Sequence, residues 1–346
     1  MLKRWRLFAI GLAAIGLLAA GLQVVRARLA ADRTISEMKA QFVRPQGSPP
    51  APEDNQSTPE RVALGRQLFF DPRLSGSGAM SCASCHAPDR DWQDGIATAI
   101  GRDGRILARR TPTLLNAAWG FPFFWDGRAD TLEQQAVMPI QAPGEMNLPH
   151  VQAIARIAAV PSYRQAFAQS YGAEGVTINT IGNAIAAFER TLVSSQAPFD
   201  RWIAGDERAI SQQAQRGFIL FNTRARCSTC HSGWRFTDDG FHDIGVNGDD
   251  EGRAAIAPGI EQLRFAFKTP TLRNIDRRGP YMHNGSLQSL EAVVAFYNTP
   301  VARGRPSLSP DLAALRLSAR EQGELIAFLR TLTSEDAAQH SPTLPQ

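Results

Sequence analysis

Apolar residues recur three and four apart over Val151 to Val160, Tyr163 to Tyr171, Ile178 to Leu192 and Ser318 to Leu332, the spacing that lines one face of a helix. Strand-like alternation is scarce, so the chain reads as mainly α. The last segment opens Ser318-Ala319-Arg320-Glu321, a capping box whose serine and glutamate satisfy amides of the first turn. Glycine-rich stretches at Ser75 to Met80 and Asp239 to Gly259 break the pattern, as expected where chain wraps a flat ligand edge rather than a packed core. At the N-terminus an uncharged run from Leu7 to Val25 follows Lys3, Arg4 and Arg6 and precedes Arg26 and Arg28. Residues 1–33 therefore read as an export signal, or as a membrane anchor through residues 7–25, which are just long enough to span a bilayer. Residues 34–59, rich in Pro, Ser and Gln from Arg44 onward, read as a linker, and the polar residues 333–346 as a frayed tail.

The apolar pattern also repeats. Thr111-Pro112-Thr113-Leu114-Leu115-Asn116 recurs 158 residues later as Thr269-Pro270-Thr271-Leu272-Arg273-Asn274, and the same offset sets Gly127 on Gly285 and Leu132-Glu133 on Leu290-Glu291. Leu68-Phe69 and Leu220-Phe221 match at a different spacing. The expectation is two domains of one ancestry, 60–205 and 206–332, and a length of 346 residues with 43% apolar content accommodates two cores. The net charge of +4 comes from the first 33 residues, which hold six Lys or Arg and one acid; the remainder balances 31 bases against 32 acids. Nothing in that balance suggests a nucleic-acid partner.

All four cysteines fall in two copies of Cys-x-x-Cys-His: Cys82, Cys85, His86 and Cys227, Cys230, His231. Two thiols on one helical turn bond the vinyl groups of a c-type haem, and the following imidazole reaches the iron. Two covalent haems are thus expected, with His86 and His231 as proximal ligands, and attachment of this kind takes place outside the cytoplasm, in the periplasm. A zinc site, a redox disulfide and chance are the other readings; a histidine directly after both pairs is a requirement of haem and not of zinc.

The repeats diverge downstream of the two motifs. The offset pairs Tyr297 with Pro139, and a tyrosine oxygen can ligate iron where proline cannot. This points to a second haem capped by His231 and Tyr297, and a first haem open opposite His86. Spacing alone also allows Tyr297 to be an ordinary partly buried aromatic. Gln135, one turn before Pro139, and Glu145 are polar groups in an apolar neighbourhood; a carboxyl over an open haem could shuttle a peroxide proton, whereas a solvated loop acid is the plain alternative. Trp125 pairs with His283 under the offset, either as an electron relay between haems or as packing beside Phe121, Phe123 and Phe124.

Gly65-Arg66-Gln67-Leu68-Phe69-Phe70-Asp71-Pro72-Arg73-Leu74-Ser75, the first haem motif, Trp125-Asp126-Gly127-Arg128, Glu145-Met146, Phe188-Glu189-Arg190-Thr191, Pro198-Phe199-Asp200 and Pro280-Tyr281-Met282-His283-Asn284-Gly285 stand in an order that resembles the bacterial di-haem cytochrome c peroxidase and MauG family, over residues 60–332. The resemblance implies two α-helical cytochrome c-type domains, a peroxide-reactive N-terminal haem with Gln135, Pro139 and Glu145 in its distal pocket, and Trp125 as the bridge to the C-terminal haem. It also implies a calcium ion between the domains, held by backbone carbonyls that here are those of Arg278 and Pro280; Arg110 stands where peroxidases carry asparagine. Family peroxidases close the N-terminal haem with a histidine loop. Here Arg102 occupies that place in Thr98 to Gly104, and no histidine lies between His86 and His150, so the first haem is expected to be open throughout.

Peroxidases of the family place methionine where this chain has Tyr297, and MauG-type members place tyrosine. An anionic oxygen ligand favours ferric and higher iron. The leading expectation is therefore a MauG-like enzyme that uses hydrogen peroxide to oxidise aromatic residues of a periplasmic partner protein, with Trp202 and Trp234 as candidate surface exits; MauG's tryptophan before the second motif is Ala225 here. The alternatives are a peroxidase drawing electrons from a small cytochrome or cupredoxin, and a non-enzymatic electron carrier.

Overall fold

The computed structural model describes residues 34–299, 305–336 and 339–346. Helices start where a side chain can satisfy free amides of the first turn. The Thr58 hydroxyl accepts from the Arg61 amide at 3.3 Å and starts α1 (Pro59–Phe69), with proline at the first helical position. Thr131 caps α2 (Leu132–Gln141) in the same way. Next come α3 (His150–Ala158), α4 (Pro161–Tyr171), α5 (Ile178–Glu189) behind Thr177, and α6 (Pro198–Ile203). Serine caps start α7 (Gln212–Asn222), α8 (Leu290–Asn298) and α9 (Ala319–Arg330). The expected capping box at Ser318 and Glu321 is present, and α3, α4, α5 and α9 overlie the four periodic segments. Among the described residues the only sheet is an antiparallel pair, Phe241–His242 with Phe267–Lys268, so the architecture is mainly helical.

Two apolar cores form. One joins α1, α2 and α5 through Leu64, Leu68, Phe69, Ile140, Ile185 and Phe188. The other is an aromatic cluster of Phe199, Phe218, Phe221, Phe236 and Phe328 around α7 and α9. Each buried phenylalanine contributes about 1.5–3 kcal/mol of transfer free energy. In both cores the two central helices meet at a glycine. A Cβ on Gly65 would overlap the Ala184 carbonyl oxygen, and one on Gly217 would overlap that of Glu324. These residues have no side chain because the neighbouring backbone takes its place.

The halves share turns as well. Asn116 and Asn274 both adopt left-handed backbone, φ 62° and 58°. The amide of Asn116 donates to Leu192 O at 2.8 Å and its side chain binds Ser194; Asn274 does the same with Leu332 O at 3.0 Å and with Ser334. Asparagine tolerates this conformation because its amide bonds locally.

Three segments depart from the expected organisation. The linker is docked: 34–40 is helical, and Phe42 is fully buried against Phe236 at 4.7 Å between ring centroids. One large aromatic anchors an otherwise polar stretch. The tail is held too, since Ser334 and Asp336 bond Asn274, while Arg66 donates to His340 O and Arg73 to Pro345 O. Phe199 and Trp202, before the 205/206 boundary, pack in the second core. Residues 1–33, read as export signal or anchor, lie outside the described residues; among those described, no helix is long and apolar enough to cross a membrane.

Candidate functional site

Both Cys-x-x-Cys-His strings open onto one cavity of about 1160 Å³ that runs between the two cores. The first string forms a single helical turn, Cys82–Cys85, and the second a tighter turn, Cys227–Thr229. Each following histidine is fixed in the same way. His86 Nδ1 donates to Trp92 O at 3.0 Å and His231 Nδ1 to Phe236 O at 2.9 Å. A carbonyl can only accept, so the proton sits on Nδ1 and Nε2 keeps its lone pair. Burial pushes both imidazoles below their ordinary pKa and holds them neutral, as a metal ligand must be.

The thiols point the same way. Burial pushes Cys85 up to about 11 and Cys227 up to about 12, and Cys82 upward as well. Such surroundings suit neutral thioether sulfur and oppose the thiolates of a zinc site or a reactive redox pair. Cys230 does lie with Asp238 and His242 in a potential ligand cluster. There the His242 ring meets Asp238 at 2.8 Å, and that hydrogen bond, helped by Cys230, raises the imidazole to about 10. The cavity, its two paired thiol turns and two oriented imidazoles fit two covalent haems.

The expected distal groups share the cavity. Gln135, Pro139 and Glu145 line it together with Cys82, Cys85 and His86. Pro139 sits inside α2 and cannot donate to the carbonyl of Gln135 one turn back. Among the described residues the side chains of Gln135 and Glu145 have no hydrogen-bond partner. Burial raises the Glu145 carboxyl above the ordinary glutamate range, with Arg128 opposing in part. Trp125 lines the same space, its indole N–H donating to Arg110 O at 2.8 Å, and it meets His283 edge-on at 6.5 Å. His283 is buried, stacked on Phe267 at 3.6 Å, and burial lowers it to about 4. The residues paired by the sequence offset thus touch at the seam. Tyr297, on α8, faces Cys227 and Cys230 with no hydrogen bond to any described residue, and burial raises its phenol.

Two expectations change. Trp202 is no surface exit: it is 2% exposed, donates to Glu207 and lies under the Lys39 ammonium at 3.8 Å. Trp234 is half-buried against Trp119 at 4.9 Å. The calcium expectation names the backbone carbonyls of Arg278 and Pro280, and beside them the structure sets the buried guanidiniums of Arg110 and Arg278, cations that would repel a divalent ion. Calcium takes roughly six to eight oxygen ligands, carboxylates among them. Arg110, where an oxygen ligand is expected, instead donates from its buried guanidinium to Gln93 Oε1, and the Arg278 side chain donates to Thr271 O. Among the cavity residues that sequence reasoning missed is Glu189, which is unpartnered and raised by burial to about 8. A glutamate in so apolar a run of α5 was the signal available.

A family profile described as di-haem cytochrome c peroxidase matches residues 59–208. Methylamine utilization protein MauG of Methylorubrum extorquens is 51% identical over 319 residues, covering 91% of this chain and 90% of the relative. Cytochrome c551 peroxidase of Nitrosomonas europaea is 38% identical, covering 83% of this chain and 85% of the relative. The crystal structure of a MauG-like protein associated with microbial copper homeostasis superposes with a TM-score of 0.76 at 32% identity, over 84% of this chain and 94% of that one.

Proposed function

This chain belongs to the di-haem cytochrome c peroxidase family, MauG proteins among its relatives, and from that premise we propose that it is a MauG-like enzyme that uses hydrogen peroxide to oxidise aromatic residues of a partner protein. It is a haem-dependent oxidoreductase with two haems. The haems supply peroxide reduction and storage of the oxidising equivalents. The reading rests on Tyr297. Its hydroxyl faces the second pair of thiols without a protein partner, and a ferric ion is the Lewis acid that would draw off its proton and favour the oxidised state.

The residues assigned to the first haem divide the work. Cys82 and Cys85 would attach it and His86 would hold its iron, while Pro139 has no side-chain donor to offer. Glu145 takes the proton from one peroxide oxygen and returns it to the other, for which a raised pKa is apt. Gln135 orients the bound peroxide. Cys227, Cys230, His231 and Tyr297 would hold the second haem, and Trp125, packed edge-on against His283 at the seam, would relay charge towards it. The matched turns and glycine contacts of the two halves support two haem domains, 60–205 and 206–332, descended from one. The export-like N-terminus supports a periplasmic site of action.

The likeness to cytochrome c551 peroxidase sustains a second reading, reduction of peroxide with electrons from a small cytochrome or cupredoxin. Optical and EPR spectra of the diferric holoprotein with one equivalent of peroxide separate the two. One high-spin and one low-spin haem, reacting without prior reduction, is expected, followed by peroxide-dependent loss of hydrogen from Trp or Tyr residues of a co-purifying protein. Two low-spin haems that react only after reduction would overturn the proposal.

A further inference from the structure

We propose that Arg110 and Arg278 replace the calcium ion of the family as the fixed positive charge between the two haems, with their free N–H groups directed at haem carboxylates. Both guanidiniums are more than nine-tenths buried, at 8% and 5% exposed, and both line the haem cavity. Each uses a single N–H on a neutral protein oxygen: Arg110 on Gln93, and Arg278 on Thr271. The Nε of each is buried with no partner, a costly arrangement unless an anion completes it. No carboxylate reaches either within ion-pair distance among the described residues, although Asp94 and Asp91 lie near enough to act on them through space.

The charges are also close to each other. Arg110 lies near enough to act on Arg278 through space, and a guanidinium keeps its proton at neutral pH. Two guanidiniums carry the same total charge as one calcium ion, and a third cation added beside them would be repelled. The anions that a haem protein brings to such a place are the carboxylates of the haems themselves, and arginine binds carboxylate through paired N–H groups.

The pair sits where it can matter. The Arg110 amide donates to His283 O at 2.8 Å, and the Arg110 carbonyl accepts the Trp125 indole N–H. The backbone of residue 110 therefore ties Trp125 to His283, and its side chain places the charge beside that contact. Both arginines are positioning residues, and the inference rests on the two-haem assignment of the cavity and not on the proposed substrate.

The test uses the holoprotein purified in calcium-containing buffer and then gel-filtered. Elemental analysis is expected to find no stoichiometric calcium, and neither EGTA nor added calcium chloride should shift the Soret band or the EPR signals. A stoichiometric calcium that survives filtration, or spectra that change with EGTA, would overturn the proposal. Replacing the pair by Arg110→Asn with Arg278→Thr should lower both haem midpoint potentials, while Arg278→Lys retains the wild-type potential. Unchanged potentials in the double variant would count against it. None of these readouts depends on whether a partner protein is oxidised.

Discussion

The amide of Arg102 donates to the carbonyl oxygen of Glu145 at 3.2 Å, so the loop that lacks the family's closing histidine grips the backbone of the expected distal acid. The loop is tied at its base, where Arg109 bridges Asp126 and Asp250 at 2.6 Å each. Gly101 lets it lie flat, because a Cβ there would overlap the Gly144 carbonyl oxygen. Gly101→Ala should therefore displace Glu145, slowing the reaction with peroxide while costing about 1–3 kcal/mol of stability. Stopped-flow rates beside thermal melts check this; an unchanged rate would leave the loop without a role in placing the acid.

Glu145→Gln keeps the shape and removes the proton acceptor. The rate of peroxide reaction should fall by roughly 10²–10⁴ with the resting haem spectra intact. In the wild type the rate should rise with pH through a pKa above the ordinary glutamate range, because the ionised form is the base and burial raises its pKa. A wild-type profile flat across that range would remove Glu145 from the proton path.

Glu189 makes a stability prediction with a definite sign. Burial raises its carboxyl from 4.5 to about 8, so between those values the folded state holds a proton that the unfolded state has lost. Stability contributed at this site must fall as pH climbs through that window. Glu189→Gln should flatten the decline, which urea midpoints at pH 5, 7 and 8.5 would register. Parallel declines in both proteins would show that the site titrates normally.

Tyr297→Met should raise the midpoint potential of the second haem, since methionine favours ferrous iron and an anionic oxygen favours ferric. Potentiometry with optical detection reads the shift directly. No change would mean that the tyrosine oxygen is not bound to iron.

Gly217→Ala tests the second core. The added methyl meets the Glu324 carbonyl oxygen and the Phe328 side chain, so α7 and α9 must separate. A loss of about 1–3 kcal/mol is expected in denaturant unfolding. A stabilising effect, as a plain helix-propensity argument would forecast, would show that the helices can part freely.

Much of this protein is written locally. Covalent haem attachment requires its thiols and imidazole within five consecutive residues, so Cys82 to His86 and Cys227 to His231 are legible without a fold. Periodic segments with strong caps, such as 318–332, are legible for the same reason, because their geometry depends on neighbours in the chain. Pro139 and Tyr297 could be paired only because a repeat supplied a register.

What tertiary structure decided is burial and encounter. The Pro-, Ser- and Gln-rich segment at 34–59 reads as a free linker until Phe42 finds Phe236, distant along the chain. Trp202 reads as a surface residue until the second core closes over it, and Glu189 as one more helix acid until α5 faces the cavity. Arg110 and Arg278 each look like solvated charges in sequence. Only folding brings them together and removes their water, and that loss of solvent makes two ordinary side chains into an electrostatic element between the haems.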